Sequence, residues 1–247
     1  MLRGECVIVV IIALLLSATT VFAQRPVDTD GDGVSVVRHL FCTINPGYTM
    51  RDVVATARGF EWPEGSAPSL VVLRERVATD GGLNLDFIGD FVYPSYADMV
   101  EKRGAVLRRQ AETDGRQGID GVATCSDNVL IQTARVANVV DDAVDPQFPM
   151  LTTSCQLNGA PISGLVDGAR SFGNARGANS FVNVPTFGGR QRAIGSTALM
   201  LLAFPSWADF GTSWDQLSQN PPAPRDPQNP VSCNVPRLWS AWRVHPE

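Results

Sequence analysis

Phe41-Cys42-Thr43-Ile44-Asn45 returns 113 residues later as Ser154-Cys155-Gln156-Leu157-Asn158. Tyr93-Pro94-Ser95-Tyr96-Ala97-Asp98 returns after 111 residues as Phe204-Pro205-Ser206-Trp207-Ala208-Asp209. Thr124-Cys125, followed by Ala134-Arg135-Val136, returns after 108 as Ser232-Cys233, followed by Trp242-Arg243-Val244. The matches keep their order, and small deletions separate the copies. A period this long indicates a duplicated domain and not a solenoid, whose repeats run about 20–50 residues. The expected organisation is a first repeat over 34–140, a linker over 141–149 with acidic residues and two prolines, and a second repeat over 150–247.

Each copy reads as βαββαβ. In the first, Val34 to Ile44 is β-branched and apolar, and Asn45-Pro46-Gly47 ends that strand. Thr49-x-x-Asp52 opens a helix as a capping box, with Asp52 a short stand-in for the usual Glu. Ser69 to Val77 and Leu83 to Val92 are strands around the turn signal Asp80-Gly81-Gly82. Ser95-x-x-Asp98 opens a second helix, and Val129 to Val139 is the fourth strand. In the second copy, strands contain Ser154 to Leu157, Ser180 to Thr186, Ala198 to Phe204 and Leu238 to His245. Its helices begin near Ile162 and at Ser206-x-x-Asp209, and the proline-rich stretch from Asn220 to Pro230 is a connector.

Cys6 lies in the leader, so the mature chain keeps Cys42, Cys125, Cys155 and Cys233. Four cysteines allow three pairings. Each copy holds one near its start and one near its end, which predicts Cys42–Cys125 and Cys155–Cys233. A ferredoxin-like sheet makes the first and last strands antiparallel neighbours, bringing the end of one opposite the start of the other. No CxxC occurs and there are two histidines, so no metal centre is expected.

The order strand, Pro-Gly, capped helix, hairpin, strand, then an aromatic with Pro-Ser-x-x-Asp before a second helix resembles the dimeric α/β-barrel superfamily. That superfamily includes antibiotic-biosynthesis-type monooxygenases, haem-degrading enzymes and stress-responsive barrel proteins. The resemblance covers the first copy well and the second loosely. It implies an α+β fold in which two tandem ferredoxin-like units with antiparallel sheets supply both halves of an intrachain pseudo-dimeric barrel.

Residues 1–23 read as a secretory signal: Arg3, an apolar run from Val7 to Leu16, and Val21-Phe22-Ala23 before the cut. The 17 residues from Val7 to Ala23 fall short of the about 20 that a spanning helix needs. A retained anchor is the alternative. The mature protein is thus expected to be periplasmic or secreted, with no membrane association after cleavage. Net charge is −5, and Lys102 is the only lysine. That balance argues against a nucleic-acid partner and against Schiff-base chemistry.

The acidic tail over 24–33 carries Asp28, Asp30 and Asp32 at the spacing of half a calcium loop, but position twelve falls on His39 where a Glu is required. No cofactor is expected. Asn45 and Asn158 correspond between the copies; some cofactor-independent oxygenases of the resembling superfamily use an early-strand Asn with Trp and His. The competing reading is that both hold the turn after the first strand. Tyr96 and Trp207 occupy equivalent first turns of the second helix. Trp239 and Trp242 stand three apart in a strand, so one faces the helices and the other the barrel. Together with Trp214 they are the aromatic candidates for ligand contact. His39 and His245 are the only imidazoles, without a nucleophile elbow. Arg74-Glu75-Arg76 and Arg108-Arg109 read as solvated faces. The leading expectation is an exported protein that binds a small, partly apolar ligand. The alternatives are a cofactor-independent monooxygenase-like enzyme and a structural or interaction module of the envelope; the oligomeric state stays open.

Overall fold

The computed structural model describes residues 34–79, 84–112, 118–138, 145–188, 196–219 and 229–246. The leader, the acidic tail with Asp28, Asp30 and Asp32, the Asp80-Gly81-Gly82 turn and most of the proline-rich connector lie outside the described residues. Unit one runs β1 (Val34–Ile44), α1 (Met50–Arg58), β2 (Leu70–Ala78), β3 (Phe87–Tyr93), α2 (Tyr96–Glu112), a short 3-10 turn (Ile119–Gly121) and β4 (Ala123–Asn138). Unit two runs β5 (Gln147–Gln156), α3 (Ile162–Arg176), β6 (Asn179–Phe187), β7 (Thr197–Ala203), α4 (Trp207–Gln219), β8 (Ser232–Cys233) and β9 (Arg237–His245).

The strand order is β7-β6-β4-β1-β3-β2-β9-β5-β8, and β7 also pairs with β5, so the sheet closes into an antiparallel barrel. Within unit one the order β4-β1-β3-β2 is ferredoxin-like. Unit two repeats it with β8 and β9 serving in turn as its last strand. The units meet at two seams, β2 with β9 and β4 with β6. Each seam joins the second strand of one unit to the last strand of the other, as a two-fold relation requires. Closure leaves no long open edge for another chain to extend.

Strand β1 shows why the strands read as apolar runs and not as alternating ones. Arg38, Leu40 and Cys42 face the helices, while Val37, His39 and Phe41 face the barrel interior, so both faces are covered. The interior is filled by side chains such as Phe148, Met150, Leu201, Ile88 and Trp239. The helix-side core of unit one gathers Val53, Val54, Leu73, Phe87 and Val244.

Local chemistry sets the element ends. Thr49 and Asp52 form the reciprocal capping box of α1, with Thr49 N–H donating to Asp52 Oδ2 at 2.7 Å. Ser95 and Ser206 accept from the amides of Asp98 and Asp209, both at 3.1 Å. Helix α3 ends at Gly177, whose φ of 61° only glycine adopts without strain. Strand β4 begins six residues before the expected Val129. Its polar first stretch carries no apolar signal, but it is held extended by pairing with β1 around the Cys42–Cys125 bridge. Strand β5 starts at Gln147, and Pro149 is accommodated there because its carbonyl still accepts from Phe204 N–H at 3.1 Å.

Cys42 is bonded to Cys125 and Cys155 to Cys233. Each pair is directly in register, β1 against β4 and β5 against β8, which brings the Cα atoms to 4.0 and 3.9 Å. Among the described residues no helix is long and apolar enough to cross a membrane, and no cluster of His, Cys, Asp or Glu could hold a metal ion.

Candidate functional site

Two places concentrate chemistry. The first is inside the barrel. Asp90 of β3, flanked by His39 of β1 and Arg74 of β2, accepts from Arg74 Nε at 2.5 Å and Nη2 at 2.9 Å. His39 Nδ1 lies 2.7 Å from Asp90 Oδ1. An ionised carboxylate only accepts, so Nδ1 carries a proton. On the other side of the ring, Nε2 lies 2.8 Å from Oε1 of Gln132, which also accepts from Asn183 Nδ2 at 3.1 Å. With the amides in that orientation both ring nitrogens donate and the ring is cationic; with the Gln132 and Asn183 amides both turned, the Gln132 NH2 donates to a neutral ring and to the Asn183 oxygen. Arg74 stands over the Trp239 ring, 5.2 Å from its centroid, and Trp239 Nε1 donates to Thr152 Oγ1 at 2.8 Å.

Asn183, Gln132, His39, Asp90, Arg74, Trp239 and Thr152 therefore form one polar belt, with one residue from each of seven adjoining strands. Burial alone would raise the Asp90 carboxyl, but Arg74 and then His39 hold it down at about 2. All seven side chains are buried, and of the described cavities a small one of about 20 Å3 touches the belt, at Thr152.

This belt corrects the reading of Arg74-Glu75-Arg76 as solvated. Strand alternation sets Arg74 with Val72 on the barrel face, at mid-strand, where Asp90 neutralises it; Arg76, two residues nearer the strand end, stays half-exposed with Asp86 at 3.6 Å.

The second place is a cleft of about 410 Å3 between the helices of unit one and the outer face of its sheet. Leu40, Val71, Leu73 and Phe91 form its sheet-side floor, and Ala57, Phe60 and Trp62 form one wall. Phe60 and Trp62 meet edge to face with centroids 4.6 Å apart, and Trp62 lies 6.1 Å from the His245 ring. Val106 of α2 and Ile119 of the 3-10 turn close the far side. The polar residues of the lining are Arg38 from β1, Tyr93 from the end of β3, Arg103 and Gln110 from α2, Asp120 of the 3-10 turn and His245 of β9. Arg38 is 7% exposed. Among the described residues its guanidinium has neither ion-pair nor hydrogen-bond partner, and its aromatic contact is Phe91, 5.8 Å away. Burial, then the charge of Arg103, lowers its pKa from the ordinary arginine value to about 10, against a smaller opposing effect of Tyr93. It therefore stays cationic at neutral pH.

The residues singled out from the sequence do not converge. Asn45 accepts from Thr124 Oγ1 at 2.8 Å and donates to Gly121 carbonyl at 3.4 Å. Asn158 takes a φ of 47° and donates to Pro230 carbonyl at 2.7 Å. Both tie the turn after a first strand to the approach of a last strand, and the side-chain partners of neither are Trp or His. Tyr96 hydrogen-bonds Thr133 at 3.0 Å and packs on Phe187. Trp207 and Trp214, partly exposed, flank Phe210 on α4. Trp239 faces the barrel and Trp242 the helix-side core of unit one, the split that their spacing required. His245 lines the cleft; His39 does not.

Arg38, Tyr93, Arg103, Phe60 and Trp62 were missed. A signal for three of them existed in the comparison of the two halves. Counting from the paired cysteines and the Pro-Ser motifs, Arg38 corresponds to Leu151, Tyr93 to Phe204 and Arg103 to Trp214. Unit two has apolar residues at all three positions.

No protein-family model matches the chain, and no curated protein matches it. Among solved structures it is similar to a provisionally assigned monooxygenase from Fusobacterium nucleatum subsp. nucleatum, at 10% identity over 86% of this chain and 93% of that one, with a TM-score of 0.49. It is similar to an anthrone oxidase-like protein at 11% identity over 87% and 95%, TM-score 0.48. A mutant chlorite dismutase from Candidatus Nitrospira defluvii gives 10% identity over 84% and 91%, TM-score 0.46. The fold is a dimeric α/β barrel carried on one chain. These likenesses concern its layout, and no chemistry is assigned from them.

Proposed function

We propose that this protein binds a small, partly apolar molecule in the cleft of unit one. The observation that carries the reading is the difference between the halves. The cleft of unit one is open and walled by Phe60, Trp62 and Phe91. The matching space of unit two is filled by Leu151, Leu202, Phe204 and Ala178, with Phe172 and Phe210 packed against them. A pocket lined mainly by apolar side chains with a few polar groups has the composition of a small-molecule site. We place the protein in an exported compartment, because two disulfides persist where the environment is oxidising.

Native mass spectrometry of the chain purified from its exporting host tests this. A co-purifying small molecule is expected on the wild-type protein and absent from Ala57→Phe, which fills the cleft from α1. A bound species retained by Ala57→Phe would move the site elsewhere.

A second reading is cofactor-independent oxygenation, favoured by the hydrogen-bonded His39–Asp90 pair. It requires substrate to reach a barrel interior that its own side chains fill. Oxygen uptake with the molecule recovered from the protein, abolished in His39→Gln, would establish it.

A further inference from the structure

Resting on the reading of this cleft as the binding site, we propose that its occupant is an apolar carboxylate, with Arg38 the residue that reads the carboxylate and Arg103 beside it.

A charge withdrawn from water is retained without loss of stability only when something offsets it. Arg38 is buried in a wall of aliphatic and aromatic side chains, and no described carboxylate faces it. Arg103, the second cation of the cleft, adds repulsion instead of relief. Asp120, the one acid of the lining, stands on the exposed 3-10 turn at the rim. The cleft therefore presents two guanidinium groups to an apolar space, an arrangement that lacks its anion. A guanidinium offers a planar fork of N–H donors that matches the two oxygens of a carboxylate. The aromatic walls favour a flat or hydrocarbon body behind that group.

Unit two supplies an internal control. Its sheet, helices and disulfide follow the same plan, yet Leu151, Phe204 and Trp214 stand where unit one has Arg38, Tyr93 and Arg103. With those apolar residues, the equivalent space is closed by packing. The scaffold thus needs no cation at the Arg38 position. At the matching place in unit two the two charges and the cavity are missing together; the larger described cavity of that half, about 230 Å3, lies instead between the end of α3 and α4, where Arg176 and Asp209 both line it.

Isothermal titration of the full chain with 2-naphthoate and with its uncharged near-isostere 2-naphthamide separates the two layers of this reading. The wild-type protein is expected to bind the carboxylate at least tenfold more tightly than the amide. Arg38→Leu, which installs the residue unit two already carries, should keep amide binding and bring the ratio near one. Arg103→Gln, at a half-buried helix position that tolerates a polar side chain, should narrow the ratio about threefold. Equal binding of both probes by the wild-type protein, or a preference that survives Arg38→Leu, overturns carboxylate selection and leaves the cleft standing as a site for neutral apolar molecules. Failure of both probes to bind overturns the cleft reading itself.

Discussion

Arg38 sits in an apolar wall with no described acid to offset its charge, so the ligand-free fold carries a desolvation cost at that residue. Because the folded state lowers its pKa to about 10, the unfolded chain holds that proton more tightly. The cost is complete below pH 10 and fades as pH rises from there toward the ordinary arginine value. Arg38→Leu is expected to raise the stability of the empty protein by about 1–3 kcal/mol, read from the urea midpoint at pH 7. Asp90 behaves in the opposite sense. Its carboxyl is held near 2 against an ordinary 3.8, so its contribution is whole above pH 3.8 and is lost as pH falls through 2. Asp90→Asn should cost about 3–5 kcal/mol at neutral pH by leaving Arg74 uncompensated. The variant should also show a flatter acid limb between pH 4 and 2. Neither residue was legible beforehand, for one reason. A strand buried on both faces hides how deep its charged residues lie, and Arg74 and Arg76, on one face of β2, look alike until the register is known. The turns at Asn45 and Asn158 were legible because a turn signal is local, although the groups their side chains bond, at Gly121, Thr124 and Pro230, lie more than 70 residues along the chain.

At the scale of elements, β1, α1 and the two Ser-x-x-Asp helix starts could be read from caps and breakers, since those signals lie within a few residues of the structure they set. The start of β4 could not, because what holds its polar first turn is a bridge to Cys42, 83 residues away. Helix α3 shows a similar dependence on a distant contact. Gly173 lies where α3 meets the start of β6, and a Cβ there would come within 2.7 Å of Ser180 Oγ and 2.9 Å of the Ala178 carbonyl. Helix propensity alone would favour alanine by about 1 kcal/mol. The close approach should reverse that, and Gly173→Ala is expected to lower stability by about 1–3 kcal/mol through overpacking. A thermal-melt comparison with Gly168→Ala, on the same helix with open space around it, isolates the effect. A variant as stable as wild type would mean that α3 shifts freely against the sheet.

At the scale of the molecule, the duplicated motifs led to two ferredoxin-like units, because each pair of cysteines stood at strand ends that this topology makes adjacent, and the closed barrel was implied by the resemblance to the dimeric α/β-barrel superfamily. The open cleft was not legible in the same way. It depends on which unit keeps bulky apolar residues on its helix-facing side, and single motifs do not report volume. The two disulfides each stay within a unit, and removing one relaxes an unfolded loop of about 80 residues, worth up to about 4–5 kcal/mol. Cys125→Ser should nevertheless lower a single transition instead of splitting off an early one, since unit one shares both barrel seams with unit two. Differential scanning calorimetry with matched calorimetric and van't Hoff enthalpies would show this.

The polar belt sharpens that expectation. Arg74 rests on Trp239 and Gln132 on Asn183, so the ring of contacts crosses from one half to the other at both places where the halves touch. A fragment ending at residue 140 would keep the arginine, the acid and the imidazole while exposing them along two raw margins. Such a fragment has one way to bury them again, which is to recruit a twin. Expressed alone, it should sediment as a homodimer, recreating from two polypeptides what this protein builds from one.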